Sequence, residues 1–160
     1  YTQRVVVVRA DSQIQSLEDL KNKRVGVQTG STSEKIILNQ LNPDFPELGQ
    51  LTSFRELGEV FTALRKGYVD AIVGHESSFR TYTEEYPSEY RFLNMSLRSE
   101  AVGVAFQKGG DEGVVRKLNK AFGEMQQDKT MEEIVKKFGL DVEKNVYGGD
   151  ADDQTKEGEK

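Results

Sequence analysis

The 160-residue chain contains no cysteine and no tryptophan, one histidine and three prolines. Without cysteine it can form neither a disulfide nor a zinc ribbon, and it has no thiol nucleophile. A single histidine outside any histidine-rich cluster argues against a transition-metal site. The chain also lacks a G-x-S-x-G elbow, a Walker loop and a G-x-G-x-x-G turn after a strand. We therefore expect no cofactor, no metal and no common hydrolase or nucleotide-binding chemistry.

Long apolar runs and basic patches are also missing. No run approaches the roughly 20 apolar residues of a membrane span, so the sequence predicts no membrane-spanning helix in this stretch. Hydrophobic residues make up 36% and charged residues 31% of the chain, which is typical of a globular protein with one core. The net charge is −5, and no basic patch is interleaved with aromatic residues. Nucleic acid is therefore not an expected partner.

Strand and helix patterns alternate along the chain, which predicts an α/β fold with a mostly parallel sheet. The β-branched run at 3–9 is typical of a strand buried on both faces. Three S/T-x-x-E pairs predict helix starts, namely Ser31/Glu34, Ser53/Glu56 and Thr130/Glu133. Further strands are predicted at 24–28, near 51–53, and at 69–73, 90–93 and 101–106. Helices are predicted at 76–85, around Val114, Leu118, Phe122 and Met125, and from Thr130 to Gly139.

The stretch 16–32, SLEDLKNKRVGVQTGST, predicts a small-ligand site. It is typical of a short helix capped by Ser16, a buried strand and a polar loop that opens a second helix. Amide groups at a helix N-terminus suit an anion such as a carboxylate or phosphate. The alternative is a loop that only caps its helix through Ser31 and Glu34 and binds no ligand.

Two later segments complete a family resemblance. The stretch 67–73, GYVDAIV, and the stretch 106–109, FQKG, follow SLEDLKNKRVGVQTGST in an order and spacing that are hard to produce by chance. Together these segments resemble the bacterial extracellular solute-binding protein family 3, whose members serve polar-amino-acid ABC importers. The resemblance runs from residue 1 to about residue 140.

The resemblance implies a periplasmic-binding-protein-like lobe, a three-layer α/β/α arrangement with a mostly parallel sheet plus two C-terminal helices. Residues 10–99 resemble lobe two, residues 3–9 and 101–107 the crossover strands, and residues 111–140 the terminal helices of lobe one. Residues 1–140 then form a partial solute-binding fold, and 148–160 an acidic disordered tail. The first part of lobe one, which in the family supplies an aromatic wall and an arginine for the ligand's carboxylate, is not among these residues. By itself the segment is expected to bind ligand weakly or not at all.

The resemblance also implies a ligand-binding set. The family's carboxylate-binding loop corresponds to Gly30, Ser31 and Thr32, with Gln28 and Ser33 close by. The acidic residue that holds the ligand's α-ammonium corresponds to His75, which carries no negative charge when neutral. Glu76 is the alternative ammonium acceptor, and a solvated helix start is the structural alternative for His75. Asp70 is interpreted as a structural turn residue.

The implied function is the binding of a small polar solute, amino-acid-like, by an extracytoplasmic receptor that is not an enzyme. Its implied partner is the membrane permease of an ABC importer, and its implied location is the periplasm or a lipid anchor at the cell surface. Two alternatives stay open. One is the ligand-sensing domain of a sensor kinase or cyclase, and the other is a dehydratase-type enzyme using His75 or Glu76. The apolar faces of the C-terminal helices would also permit a domain-swapped or helix-mediated dimer.

Overall fold

The computed structural model describes residues 1–94 and 97–148, and of Arg98 it describes only the backbone. Its contacts divide the chain into two compact units. The sheet unit is Gln3–Arg98, and the helical unit is Tyr1–Thr2 together with the described residues from Ser99 onward. The acidic tail predicted at 148–160 falls almost entirely outside the described residues.

The sheet unit contains the strands β1 to β5 and the helices α1 to α3. Its strands are β1 (Thr2–Arg9), β2 (Arg24–Gln28), β3 (Gln50–Phe54), β4 (Ala71–His75) and β5 (Tyr90–Phe92). Its helices are α1 (Thr32–Leu38), α2 (Leu57–Arg65) and α3 (Glu76–Glu85), preceded by a short 3-10 turn at Glu18–Leu20. The prediction of an α/β fold is therefore confirmed.

The sheet is mixed, with the strand order β3-β2-β4-β1-β5. Strand β2 pairs in parallel with both β3 and β4. Strand β1 pairs antiparallel with β4 and with β5. The prediction of a mostly parallel sheet is thus wrong for β1. The alternation of strand and helix begins only after β1. The direction in which β1 runs relative to the other strands leaves no signal in its local sequence.

Apolar side chains fill both faces of this sheet. Strand β1 lies between β4 and β5, and its residues from Gln3 to Val8 are buried, as predicted for a strand covered on both sides. Alternate residues of β1 point to opposite faces, so Val5 and Val7 join one core while Val6 and Val8 join the other. On the first face Phe61 stacks against Tyr82 and meets the edges of Phe79 and Tyr90.

The helical unit contains α4 (Glu112–Gln127), α5 (Thr130–Lys137) and α6 (Val142–Val146). Two C-terminal helices were expected, and α6 is an additional short one. The strand predicted at 101–106 is not found, since residues 101–107 form no strand and are exposed. A short strand β6 (Arg98–Glu100) precedes them instead. The apolar alternation of 101–106 suits a strand, but local sequence cannot supply the neighbour that a strand requires.

Three helix starts differ from the predicted caps. Helix α2 is capped by a box of Glu56 and Glu59 rather than Ser53 and Glu56, because β3 continues through Phe54. At the start of α5 the amide of Thr130 donates to Asp128, and Lys129 at the N-cap makes no side-chain cap. The 3-10 turn is held by Asp19, which accepts hydrogen bonds from the amides of Gln15 and Ser16. These bonds lower the pKa of Asp19.

Among residues 1–94 and 97–148, no helix combines the length and apolar character that crossing a membrane requires.

Candidate functional site

The carboxyl ends of β2 and β4 meet at one edge of the sheet. Val27 and Val73 face each other in the parallel register, so Thr29 and His75 stand two residues beyond them at the same edge. In open α/β sheets, ligands bind outside the carboxyl ends of neighbouring parallel strands. The structure thus brings His75 to the edge that carries the loop from Gln28 to Ser33.

The loop between β2 and α1 turns at Gly30, where φ is +73°. A positive φ is readily adopted by glycine and costs free energy in residues with a Cβ. Ser31 then caps α1, since its Oγ accepts a hydrogen bond from the amide of Glu34 at 3.1 Å. The Glu34 carboxylate reaches back to the amide of Gly30 at 2.6 Å rather than to that of Ser31. The loop is therefore fixed by its own side chains.

The first amides of α1 are free of helical hydrogen bonds and can donate to an anion. The first backbone bond of α1 runs from the amide of Lys35 to the carbonyl of Ser31 at 3.2 Å. The amides of Thr32 and Ser33 precede it, so they have no acceptor within the helix. Ser33 is only 1% exposed as a whole residue, and its hydroxyl has no hydrogen-bond partner in the described structure. Half-buried Thr32 can offer a solute both its amide and its hydroxyl, and the amide of buried Ser33 follows it in the first turn of α1.

Glu34 places a negative charge beside this loop. Its second carboxylate oxygen accepts a hydrogen bond from the hydroxyl of Ser53 in β3. The Ser53 hydroxyl, and then the Gly30 amide, lower the pKa of Glu34 below its ordinary value. Glu34 is therefore ionised at neutral pH. An anion at the amides of Thr32 and Ser33 would have Glu34 as a neighbour.

His75 contacts an arginine of the sheet unit. Its Nδ1 lies 3.1 Å from Nη1 of Arg4, the residue that faces it on the antiparallel strand β1. A guanidinium has only donors, so Nδ1 of His75 must be the acceptor and the ring proton must lie on Nε2. The geometry therefore fixes one tautomer of a neutral imidazole. Arg4 itself is only 2% exposed.

Glu76, the alternative ammonium acceptor, is occupied. Its Oε1 accepts a hydrogen bond from Nη2 of Arg80 at 2.8 Å, one turn further along α3. Glu76 is 8% exposed, and Arg80 lies over the ring of Phe92 at 5.7 Å. Its Oε2 is buried without a hydrogen-bond partner in the described structure. Glu76 thus forms a largely buried ion pair and is poorly placed to meet a solute.

Two other candidates have structural partners. The side-chain amide of Gln28 donates to the carbonyl of Arg55 at 3.3 Å, which leaves the Gln28 oxygen as an acceptor at the site edge. Asp70 lies at the opposite end of the sheet, where it pairs with Arg24 at 2.6 Å. The interpretation of Asp70 as a structural residue agrees with this contact.

A cavity of about 340 Å³ also lies at the opposite end of the sheet from His75. Its lining combines two guanidinium groups, those of Arg9 and Arg65, with the carboxylates of Asp11 and Glu89. Arg9 is bonded to Asp11 at 3.3 Å. This cavity does not share residues with the loop.

Sequence reasoning missed two residues of the site and one hydrogen-bond partner. Ser53 was interpreted as a helix cap, yet it holds Glu34 across the β2–β3 pair. Arg4 was interpreted as part of a strand, yet it fixes the His75 tautomer. The S-x-x-E spacing correctly indicated that Ser31 caps α1 but not where the Glu34 carboxylate goes. No local pattern could have found the contacts of Ser53 and Arg4, because they join residues 19 and 71 positions apart. In the described part of the chain, no three histidine or acidic side chains are grouped to hold a metal ion.

Residues 1–146 match the family model described as ABC transporter, phosphonate, periplasmic substrate-binding protein. The histidine-binding periplasmic protein of Escherichia coli K12 is 32% identical over 151 residues, which cover 90% of this chain and 56% of that protein. The arginine-binding extracellular protein ArtP of Bacillus subtilis is 30% identical over 135 residues, with 84% and 51% covered. The chain therefore spans about half the length of the curated relatives it matches.

A solved structure agrees with these sequence matches. An ancestral arginine-binding protein bound to arginine superimposes with a TM-score of 0.64 and 32% sequence identity. The superposition covers 86% of this chain and 60% of that one.

Proposed function

Because this chain belongs to the periplasmic substrate-binding proteins of ABC transporters, we propose that it supplies one wall of a binding site for a small polar solute. The wall is the loop Gln28, Gly30, Ser31, Thr32 and Ser33, with His75 beside it. The observation that carries the proposal is the pair of first-turn amides of Thr32 and Ser33, which have no acceptor within α1 and stand at the carboxyl edge of parallel strands.

The proposed ligand group at these amides is an oxyanion. The family model's description specifies phosphonate, whereas the printed names of the relatives specify histidine or arginine. These solutes share an acid group, and the N-terminus of a helix favours an acid group of either kind. We therefore assign the acid end of the solute to Thr32 and Ser33. We expect the whole solute to be about the size of an amino acid.

The proposed domain assignment follows the family resemblance. Residues 10–99 would form lobe two, 3–9 and 101–107 the connections between lobes, and 111–140 terminal helices of lobe one. The opposite wall of the site would come from a part of lobe one that the matched relatives have outside the aligned region. In such a receptor, two lobes close about the connecting segments by a hinge motion.

The proposed partner is the membrane permease of an ABC importer, and the proposed location is extracytoplasmic, in the periplasm or at a lipid anchor. The relatives are named as binding proteins. We infer that the chain likewise binds a solute without chemical turnover, since His75 contacts Arg4 and Glu76 is paired with Arg80.

A helix-mediated or domain-swapped dimer is part of the proposal. The described helices α4 and α5 contain no buried residue, and they expose Val114, Phe122, Ile134 and Phe138. Covering such side chains stabilises a protein by about 25 cal/mol per Å² of apolar surface. Sedimentation should therefore detect concentration-dependent dimers, and a strict monomer at all concentrations would remove the dimer from the account.

The binding proposal is tested with Thr32→Ala. The substitution removes a hydroxyl from the proposed wall and leaves the Ser31 cap of α1 intact. Calorimetric titration with a panel of small carboxylates and phosphonates should show millimolar binding to the chain and about three- to tenfold weaker binding to Thr32→Ala, which corresponds to one lost hydrogen bond.

The matched control is Thr81→Ala, at an exposed position of α3. It should bind as the unchanged chain does. If Thr32→Ala and Thr81→Ala bind every solute with equal affinity, Thr32 is not part of the site.

A further inference from the structure

The carboxylates at the site edge decide which solutes this wall can accept. In the described part of the sheet unit, four carboxylates lie at the carboxyl end of β2, β3 or β4, or in the first turn of the helix that follows. These are Glu34, Glu56, Glu59 and Glu76. A solute with an ammonium group would need one of them as its counter-charge.

Glu34 is the carboxylate nearest to the loop, and both of its oxygens accept hydrogen bonds. Oε2 accepts from the amide of Gly30 and Oε1 from the hydroxyl of Ser53. These bonds hold the loop against β3. Recruiting Glu34 to a solute ammonium would weaken this arrangement and expose the Gly30 amide.

The pair at the start of α2 is committed to the helix cap. The Glu56 side chain accepts a hydrogen bond from the amide of Glu59, and the Glu59 carboxylate accepts one from the amide of Glu56 at 3.1 Å. Such a reciprocal box satisfies two amides that the helix itself leaves unpaired. Neither side chain can turn to a solute without uncapping α2.

Glu76 is committed to Arg80 and largely buried, as its 8% exposure shows. Breaking a buried ion pair leaves an uncompensated charge, so a solute ammonium would have to compete with a neighbouring guanidinium. The charge of Glu76 is already neutralised within α3.

His75 completes this edge without adding negative charge. Because Nδ1 accepts a hydrogen bond from Arg4, the ring is neutral and its proton is on Nε2. The ring therefore adds no anion at the end of β4.

We propose that the solute of this wall is an organic acid whose acid group binds at Thr32 and Ser33 and which carries no ammonium group beside that acid. A hydroxy acid, a dicarboxylate or a simple phosphonate fits this description. An α-amino acid fits it less well, since its ammonium would find no uncommitted carboxylate among those described at this edge. This inference rests on the proposed function of the same loop.

The experiment compares two pairs of solutes that differ only in the substituent on the α-carbon, which is an ammonium in one member and a hydroxyl or a hydrogen in the other. The pairs are L-lactate with L-alanine and glutarate with L-glutamate, each titrated into the 160-residue chain. Amide resonances in ¹⁵N-labelled protein report the binding, because shift changes reveal millimolar affinities and identify the site. We expect shifts at Gly30, Ser31, Thr32 and Ser33, and about tenfold tighter binding of the member without the amino group in each pair.

Two variants at one position separate charge from shape. His75→Asp and His75→Asn each keep an oxygen that can accept the Arg4 hydrogen bond, but only aspartate adds a negative charge. One oxygen of an aspartate can accept from Arg4 while its second oxygen stays at the partly exposed end of β4, unlike the buried Oε2 of Glu76. His75→Asp should therefore raise the affinity for L-alanine and L-glutamate by about tenfold relative to their partners. His75→Asn should keep the order of the unchanged chain.

The outcomes distinguish this inference from the function on which it rests. If no solute shifts the amides of Gly30 to Ser33, the proposed function is wrong and the inference falls with it. If these amides shift but the unchanged chain binds the amino member equally or more tightly, only the inference is overturned. A His75→Asp protein that fails to fold leaves this comparison intact, because the unchanged chain alone decides it.

Discussion

At the scale of single residues, the contact between Arg24 and Asp70 is a bidentate ion pair. Nη2 of Arg24 lies 2.6 Å from Oδ1 of Asp70, and Nε lies 3.0 Å from Oδ2. Asp70 Oδ2 also accepts the backbone amide of Arg24 at 2.9 Å. These bonds tie the turn before β4 to the first residue of β2. The guanidinium, and to a lesser extent the Arg24 amide, lower the pKa of Asp70 although partial burial opposes the shift.

The Asp70 ion pair predicts how stability depends on pH. Because the pKa of Asp70 is lower in the folded than in the unfolded chain, its contribution is fully present above the unfolded value of about 3.9. The contribution is lost as pH falls from there through the folded pKa. Asp70→Asn should lower the free energy of unfolding at neutral pH by about 1–2 kcal/mol and flatten its fall in acid. Urea denaturation at a series of pH values measures both effects.

Asp44→Asn is the matched control, because Asp44 is exposed and has no ion pair among the described contacts. It should leave both the stability and its acid dependence close to those of the unchanged chain. Equal acid curves for Asp70→Asn and the unchanged chain would show that the pair does not hold in solution.

Residue-level patterns predicted some contacts of the site and missed others. Ser31 at the start of α1 was predictable, because a capping serine and its partner are three residues apart. The next cap was misplaced because Ser53, Glu56 and Glu59 form two overlapping pairs with the same spacing. Only the pairing of β3 with β2, where the amide of Thr29 donates to the carbonyl of Phe54 at 2.8 Å, decides that the strand runs past Ser53. That information lies in another part of the chain.

At the scale of elements, β4 and α3 pack closely where Gly74 meets Phe79. A Cβ built on Gly74 would overlap the Phe79 ring, which is 2% exposed and in contact with Phe61. The absence of a side chain at Gly74 thus lets the helix that begins at Glu76 fold back onto the strand that precedes it. This packing positions His75 between the two elements.

The packing predicts opposite effects for two glycine substitutions. Gly74→Ala should destabilise the chain by at least about 1–3 kcal/mol, because the buried ring cannot move away without leaving the core. Gly58→Ala in α2 should stabilise it by about 0.5–1 kcal/mol, since its Cβ would lie 3.7 Å from the Tyr82 hydroxyl and alanine favours helix. Chemical denaturation measures both. Equal effects of the two substitutions would contradict the packing described for β4 and α3.

The elements that the sequence predicted best are those with strong local periodicity. Helix α3 was expected at 76–85 and is found at Glu76–Glu85, and β2 was expected at 24–28 and is found at Arg24–Gln28. The prediction failed at 101–106, where the sequence has the pattern of a strand but the structure has no strand. It also failed for the direction of β1, since strand direction depends on pairing partners rather than on composition.

At the scale of the whole molecule, the two units differ in how many of their apolar side chains are buried. The sheet unit contains the two apolar cores on either side of its strands. In the helical unit, α4 and α5 contain no buried residue, although α6 buries Val146 and the Tyr147 hydroxyl donates to Glu132 at 2.9 Å. Elements with little buried apolar surface open locally at a low cost in free energy.

Hydrogen exchange should therefore separate the two units. We expect amides in β1 and β4 to exchange at least about a hundredfold more slowly than those in α4 and α5. The measurement is native-state exchange of the 160-residue chain followed by NMR or mass spectrometry. Equal protection in α4 and β1 would mean that the helices are covered in solution, as in the proposed dimer, and repeating the measurement at several protein concentrations would reveal that.

Membership of the solute-binding family was predictable from three short segments, because their order and spacing can be read from the sequence without knowledge of the fold. The kind of solute that we propose was not predictable, since the partners of Glu34 and Glu76 emerge only in the folded chain.

The position of a bound solute tests the central claim most directly. In crystals of the chain soaked with glutarate, the account predicts a carboxylate oxygen within about 3.2 Å of the amide nitrogen of Thr32 or Ser33, beside His75. A glutarate molecule bound instead in the cavity lined by Arg9 and Arg65, or a loop that stays empty at saturating glutarate, would contradict it.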